Sequence, residues 1–110
     1  MAKRRTEFTV KIERFIEILK NQFEVDKVIL FGSRAKGKQN RWSDIDVAII
    51  SDNFANMNFH RRLVFLGLLA WQAKATEIEA LGYTIEEYKN ATRMDFLGEI
   101  KNTGKIIYKK

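Results

Sequence analysis

The chain has no cysteine, no proline and a single histidine among its 110 residues. Without cysteine, disulfide scaffolds and zinc–thiolate sites are excluded. With His60 alone, a His-rich metal centre or a His-pair acid–base mechanism is excluded as well. Long apolar runs are also missing. The longest, Leu63 to Trp71, falls far short of the roughly 20 residues that span a bilayer. The opening Met1-Ala2-Lys3-Arg4-Arg5 has the charge of a signal n-region. The stretch after it carries Glu7, Lys11, Glu13, Arg14 and Glu17, so no apolar h-region follows. We expect no membrane association and a cytoplasmic location. Without proline, helix ends must rest on glycine and on polar caps.

What is present is a soluble, globular composition: 45% hydrophobic and 31% charged residues. The length suits a single domain over residues 1–110. A chain of this size buries roughly 60–70% of its unfolded surface, enough for one modest core. The net charge of +6 favours polyanionic partners: nucleotides, nucleic acid or acidic protein surfaces.

The apolar residues Phe8, Ile12, Phe15, Ile16, Leu19 and Phe23 recur at helical spacing and predict a first helix. Lys27–Phe31 is a short run rich in β-branched residues that stops at Gly32-Ser33, the pattern of a buried strand ending in a turn. Residues 33–43 are polar and basic and predict a loop or short helix. Ile45–Ile50 reads as a second strand. Phe59–Lys74 predicts a second long helix that is apolar almost all the way round, so it is either deeply buried or docked on a partner. Glu77–Leu81 reads as a third strand. Thr84-x-x-Glu87 forms a capping-box pattern. The helix it starts breaks and resumes over Met94–Ile100, Gly104 ends it, and Lys105–Tyr108 adds an edge strand. The fold expected is α/β (α+β): a mixed sheet with helices packed mainly on one face.

Chemistry concentrates in Gly32-Ser33-Arg34-Ala35-Lys36-Gly37 and in Ser43-Asp44-Ile45-Asp46. Asp44 and Asp46, two apart on a strand, point to one face. Unpaired, they would repel by about 3 kcal/mol at ~5 Å and an effective dielectric of 20. A divalent cation removes that repulsion, and carboxylate oxygens suit Mg²⁺. A strand that ends in Gly-Ser places backbone N–H groups and a hydroxyl where ligands collect in open α/β sheets, and glycine permits close approach to a phosphate. Arg34, Lys36, Lys38 and Arg41 add positive charge. A phosphate cradle ending one strand and paired carboxylates opening the next suit metal-assisted transfer from a nucleoside triphosphate. Trp42 could stack on a base, although packing is the stronger reading, and His60 reads as an exposed polar residue.

Gly32-Ser33-Arg34-Ala35-x-Gly37 followed by Ser43-Asp44-Ile45-Asp46-Val47 resembles the signature of the DNA polymerase β-like nucleotidyltransferase superfamily. The short length and the closing Gly82-Tyr83-Thr84 through Gly104-Lys105 to Tyr108 resemble its minimal nucleotidyltransferase (MNT) branch. That resemblance implies a nucleotidyltransferase fold and the antitoxin of a HEPN/MNT toxin–antitoxin pair. Such an antitoxin transfers AMP from ATP to a tyrosine of the HEPN RNase toxin in a hetero-oligomer. It implies that Gly32 and Ser33, with Arg34 and Ser43, hold the nucleotide, and that Asp44 and Asp46 hold two Mg²⁺ ions together with a third carboxylate. Glu79 is the best candidate for the third, with Glu77 on the same strand face. The family often carries Asp at that position, so Glu79 is a departure in side-chain length.

Three other readings are open to the sequence. One is a non-catalytic module that neutralises its partner by occlusion. Another is nucleotidyl transfer to a small molecule. The last is a nucleic-acid binder using the basic termini (Lys3, Arg4, Arg5, Lys109 and Lys110), with binding steeply dependent on salt.

Overall fold

The structure is a computed structural model and describes residues 6–35, 37 and 44–110. Four strands form one mixed sheet in the order β3–β2–β1–β4. β1 (Lys27–Phe31) pairs antiparallel with β2 (Ile45–Ile50) on one side and with β4 (Lys105–Lys109) on the other, while β3 (Ile78–Tyr83) runs parallel to β2. Parallel neighbours need a crossover, and helix α2 (Phe59–Gln72) lies in the connection. The other α-helices among the described residues are α1 (Glu7–Lys20), α3 (Ile85–Asn90) and α4 (Phe96–Thr103).

Strand alternation sorts the apolar side chains onto two faces. Val28, Leu30, Val47, Ile49, Ile78 and Ala80 turn toward Ile12, Phe15 and Leu19 of α1 and Leu66 and Leu69 of α2. Ile29, Ala48 and Ile50 turn the other way and meet Leu97 and Ile100 of α4. The expected mixed sheet is therefore present, with both long helices on one face and only the short α3 and α4 on the other. Every residue of β2 is buried except Asp46.

The ends of the elements follow from their caps. Thr6 opens α1, its Oγ1 accepting from the Thr9 N–H at 3.0 Å, and Asn58 opens α2 by accepting from the Arg61 N–H at 2.8 Å. At the far end of α2, Arg14 reaches across from α1 and donates its Nε to the Ala73 carbonyl at 2.9 Å, satisfying an acceptor that the helix leaves open. The Thr84–Glu87 capping box makes both of its bonds: Glu87 N–H to Thr84 Oγ1 at 3.1 Å, and Thr84 N–H to Glu87 Oε1 at 2.8 Å. β3 starts at Ile78, one residue later than the sequence pattern suggests, and extends to Tyr83.

One cation is buried among the described residues. Arg62 sits beneath the start of α2 and donates to the Met57 carbonyl (2.9 Å), the Gly82 carbonyl (3.1 Å) and Glu87 Oε1 (2.7 Å). It thus ties α2, β3 and α3 together. Burial pushes the Glu87 carboxyl up, but the bonds from Arg62 and from the Thr84 backbone outweigh it and hold the group below its ordinary value of 4.5. A carboxyl depressed in the folded state contributes stability above its unfolded pKa, and that stability is lost as pH falls through the folded value. We expect Arg62→Leu to cost about 2–3 kcal/mol at neutral pH, because hydrogen bonds from a charged donor are lost and two carbonyls are left unpaired. Urea unfolding against pH checks this. The wild type should lose stability on acidification below pH 4.5, and the variant should show a flatter acid limb.

Candidate active site

The register between β2 and β3 sets Asp46 directly across from Glu79. Asp46 also pairs across β1 with Phe31, the last residue before Gly32. Three sequence-distant points therefore meet at one end of the sheet, on the face that carries α4. Gly32 has a φ of +75°, a conformation glycine adopts without strain. Its missing side chain is needed for space as well: a Cβ there would collide with Asp46 Oδ2. The glycine turn and the first carboxylate are thus in direct contact.

The two carboxyls lie within hydrogen-bonding reach of each other, and both are raised above their ordinary values. For Asp46 the cause is partial burial, then the charge of Asp44. For Glu79 it is the charge of Asp44, then burial and the charge of Asp46. Asp44 itself is exposed, just before β2. Among the described residues no three acidic or imidazole side chains converge into a preformed metal cage. A facing carboxylate pair with an exposed third nonetheless fits Mg²⁺, which keeps much of its water and binds through one or two carboxylates and substrate phosphates. The crowding that raises both groups is what a divalent cation relieves.

The other sequence candidates fall as follows. Ser33 lies half-exposed in the turn after β1. Arg34 is half-buried, with its guanidinium 4.7 Å from the centre of the Phe8 ring. Glu77, left open beside Glu79, is instead held at 2.5 Å by Lys11, and that bond keeps its carboxyl below the ordinary range. Ser43, Trp42, Lys36, Lys38, Arg41 and the basic residues 3–5 lie outside the described residues. His60 is exposed, as expected.

Three residues near the carboxylates were not singled out in the sequence. A cavity of about 410 Å³ opens beside Asp46 and Gly32, walled by Phe31, Phe96 and Ile100, with Glu99 and Thr103 at its edge. The signal for Phe96, Glu99 and Thr103 is their spacing on α4. Leu97 and Ile100 turn inward, which leaves these three along the site-facing flank. A larger cavity of about 640 Å³ lies farther along the same face, around Arg62, Tyr83 and Glu87, and also touches Phe96. It includes none of Asp44, Asp46 and Glu79, so size alone does not mark the chemistry.

Residues 13–110 match the family described as "Polymerase beta, Nucleotidyltransferase". No curated protein matches the chain. Among solved structures, a candidate nucleotidyltransferase from Sulfolobus solfataricus superposes with a TM-score of 0.58 at 19% identity, over 100% of this chain and 93% of that one. A toxin–antitoxin structure with AMP-PNP superposes with a TM-score of 0.60 at 20% identity, over 89% of this chain and 73% of that one. At these identities the likeness is one of fold.

A raised carboxyl stabilises the fold while it is protonated, and that contribution is lost as pH rises from the unfolded through the folded pKa. At neutral pH the pair is therefore strained unless a cation sits on it. We expect Mg²⁺ to raise the thermal midpoint of the wild type, and to do so more at pH 8 than at pH 5. Asp46→Asn should unfold at the same or a higher temperature than the metal-free wild type, by up to about 1 kcal/mol for these partly exposed charges, and should lose the Mg²⁺ response.

Proposed function

The chain belongs to the polymerase beta nucleotidyltransferase family, and on that premise we propose that it transfers AMP from ATP to a hydroxyl of a partner protein. The observation that carries this reading is the Asp46–Glu79 pair seated against the Gly32 turn. Asp44, Asp46 and Glu79 would hold two Mg²⁺ ions, which when bound would neutralise the triphosphate and lower the pKa of the acceptor hydroxyl. The turn at Gly32 and Ser33, with Arg34 and Ser43, would receive the phosphates through backbone N–H groups and side-chain donors. The acceptor oxygen forms a bond to the α-phosphorus, and the bond to the pyrophosphate breaks. Glu79 takes the hydroxyl proton.

A tyrosine of a HEPN RNase toxin is the acceptor that the sequence resemblance favours. The shared fold with an AMP-PNP-bound toxin–antitoxin structure supports an antitoxin role. The exposed face of α2 supports a macromolecular acceptor: Val64, Leu68 and Trp71 are 50%, 56% and 70% exposed. No acidic residue lies between Phe59 and Ala75, so the face suits an apolar partner surface with acidic flanks. Neutralisation by complex formation alone is the second reading, and the same α2 face favours it. The whole chain, residues 1–110, would then act as one nucleotidyltransferase domain.

Parallel reactions with α-labelled and γ-labelled ATP, Mg²⁺ and lysate of the source organism test transfer. We expect a protein band labelled only from the α position and absent with Asp44→Asn. Label from the γ position, or label that survives Asp44→Asn, overturns the proposal. If no band forms, calorimetry with Mg-ATP separates a small-molecule transferase, which binds it, from a purely occluding antitoxin, which does not. Leu68→Asp should abolish co-purification with the partner while Mg-ATP binding stays intact, because a charge on that face must be desolvated on docking.

A further inference from the structure

We infer that α2 docks on one helix of the partner protein, a helix with an apolar ridge and acidic residues at both ends, and that Gly67 is the point where the two helices cross. This inference rests on the reading that the acceptor is a protein, and it asks nothing of the chemistry at Asp46 and Glu79.

Gly67 lies in the interior of α2, on its exposed side. Glycine weakens a helix interior relative to alanine. The fold gains nothing in return: a Cβ at Gly67 would meet no atom within 4 Å among the described residues. Residues four apart line up along a helix as ridges. Leu63, Gly67 and Trp71 form one ridge, and Val64 and Leu68 form the next. All four large side chains are exposed, so the glycine leaves a notch in the middle of an apolar surface. A notch between ridges is where the ridge of a second helix packs.

Backbone hydrogen bonding and charge choose the occupant. The backbone groups inside a helix are bonded within it, so this face offers side chains alone and gives an incoming strand nothing to pair with. A loop laid across apolar side chains would bury unpaired N–H and carbonyl groups. A helix brings a backbone that is already satisfied. Exposed His60 and Arg61 stand at one end of the face and exposed Lys74 at the other, with no acidic residue between Phe59 and Ala75. A second copy of α2 crossing at Gly67 would set like charges together in either orientation, which disfavours this chain as its own partner. A helix with Asp or Glu at both ends meets opposite charge there, while its apolar ridge covers Val64, Leu68 and Trp71.

Photo-crosslinking from both ends of the face, in cells of the source organism, tests this. The full chain carries a benzophenone side chain at His60 or at Gln72, both exposed, and the crosslinked peptides are sequenced by mass spectrometry. We expect both positions to reach one segment of another protein, with Asp or Glu at its two ends, and that segment to be helical by the backbone NMR shifts of the purified protein. With that purified protein as the probe, Gly67→Ala should weaken binding about tenfold and Gly67→Leu about a hundredfold, as overpacking at a close contact does. Gly67→Ala should at the same time raise the thermal midpoint of the free chain by a few degrees, which separates lost docking from lost folding. Crosslinks to a second copy of this chain, to a strand or loop, or to a segment without acidic residues overturn the inference. So do the absence of any crosslink, unchanged binding with Gly67→Leu, or a free chain that Gly67→Ala destabilises. Asp44→Asn should leave the crosslinks in place. If the α-labelled band forms and the crosslinks do not, the docking fails and nucleotidyl transfer stands; crosslinks without a labelled band leave the docking standing and count against transfer.

Discussion

The parallel pairing of β2 with β3 is the constraint on which the site depends. Side chains alternate along a strand, so a slip of one residue would turn Glu79 away from Asp46 and into the layer of α1 and α2. The slip cannot occur cheaply, because Ile78 and Ala80 on one side and Val47 and Ile49 beside them must stay in the core. Two carboxylates that repel each other are thus held together by the apolar residues that flank them. The burial of those neighbours outweighs the local repulsion, which a divalent cation bound between the carboxylates would relieve.

The two faces of the sheet divide the labour. One carries α1 and α2, with the stacked Phe23 and Phe65 (4.8 Å between ring centres) and the edge contact of Phe23 on Phe54 (5.0 Å). That side holds most of the buried apolar residues. Among the described residues, the other face is covered by the short α3 and α4 and by a smaller cluster around Ile29, Ile50, Leu97 and Ile100. Two short helices cannot fill a face of four strands. The spaces left open, beside Asp46 and around Arg62, follow from that shortfall. A ligand site needs such a gap next to a rigid floor, and the fully buried run of β2 after Asp46 provides the floor.

Helix α2 resolves the difficulty its sequence posed. It has no polar face, yet only Arg62, Leu66, Leu69 and Ala70 of it are buried. Leu63, Val64, Leu68 and Trp71 stay outside. Gly67 lies among them with open space over its Cα, so no packing among the described residues accounts for its position. Arg62, next in sequence to the exposed His60 and Arg61, is the residue turned inward. Its helical phase with Leu66 and Leu69 carries that signal, but a buried cation needs acceptors that only the fold can deliver: the carbonyls of Met57 and Gly82 and the carboxylate of Glu87.

Local pattern determined a great deal here. Apolar periodicity sets which segments are helix and which are strand. The Thr84–Glu87 spacing sets a helix start, and Gly32 and Asp46 stand out because a turn glycine and an acid inside an apolar run conflict with their surroundings. These features depend on neighbours a few residues apart, so sequence spacing is enough. The sequence favours Glu79 but leaves Glu77 open beside it, because both sit at alternate positions on the same segment. The tertiary structure sets the two apart, placing Lys11 of α1 against Glu77 and Asp46 of β2 against Glu79. Likewise α4 announces itself as a helix, but its place above Asp46 depends on how the chain closes after β3. Contacts between residues far apart in sequence are set by the packing of the whole sheet, and no local spacing encodes them.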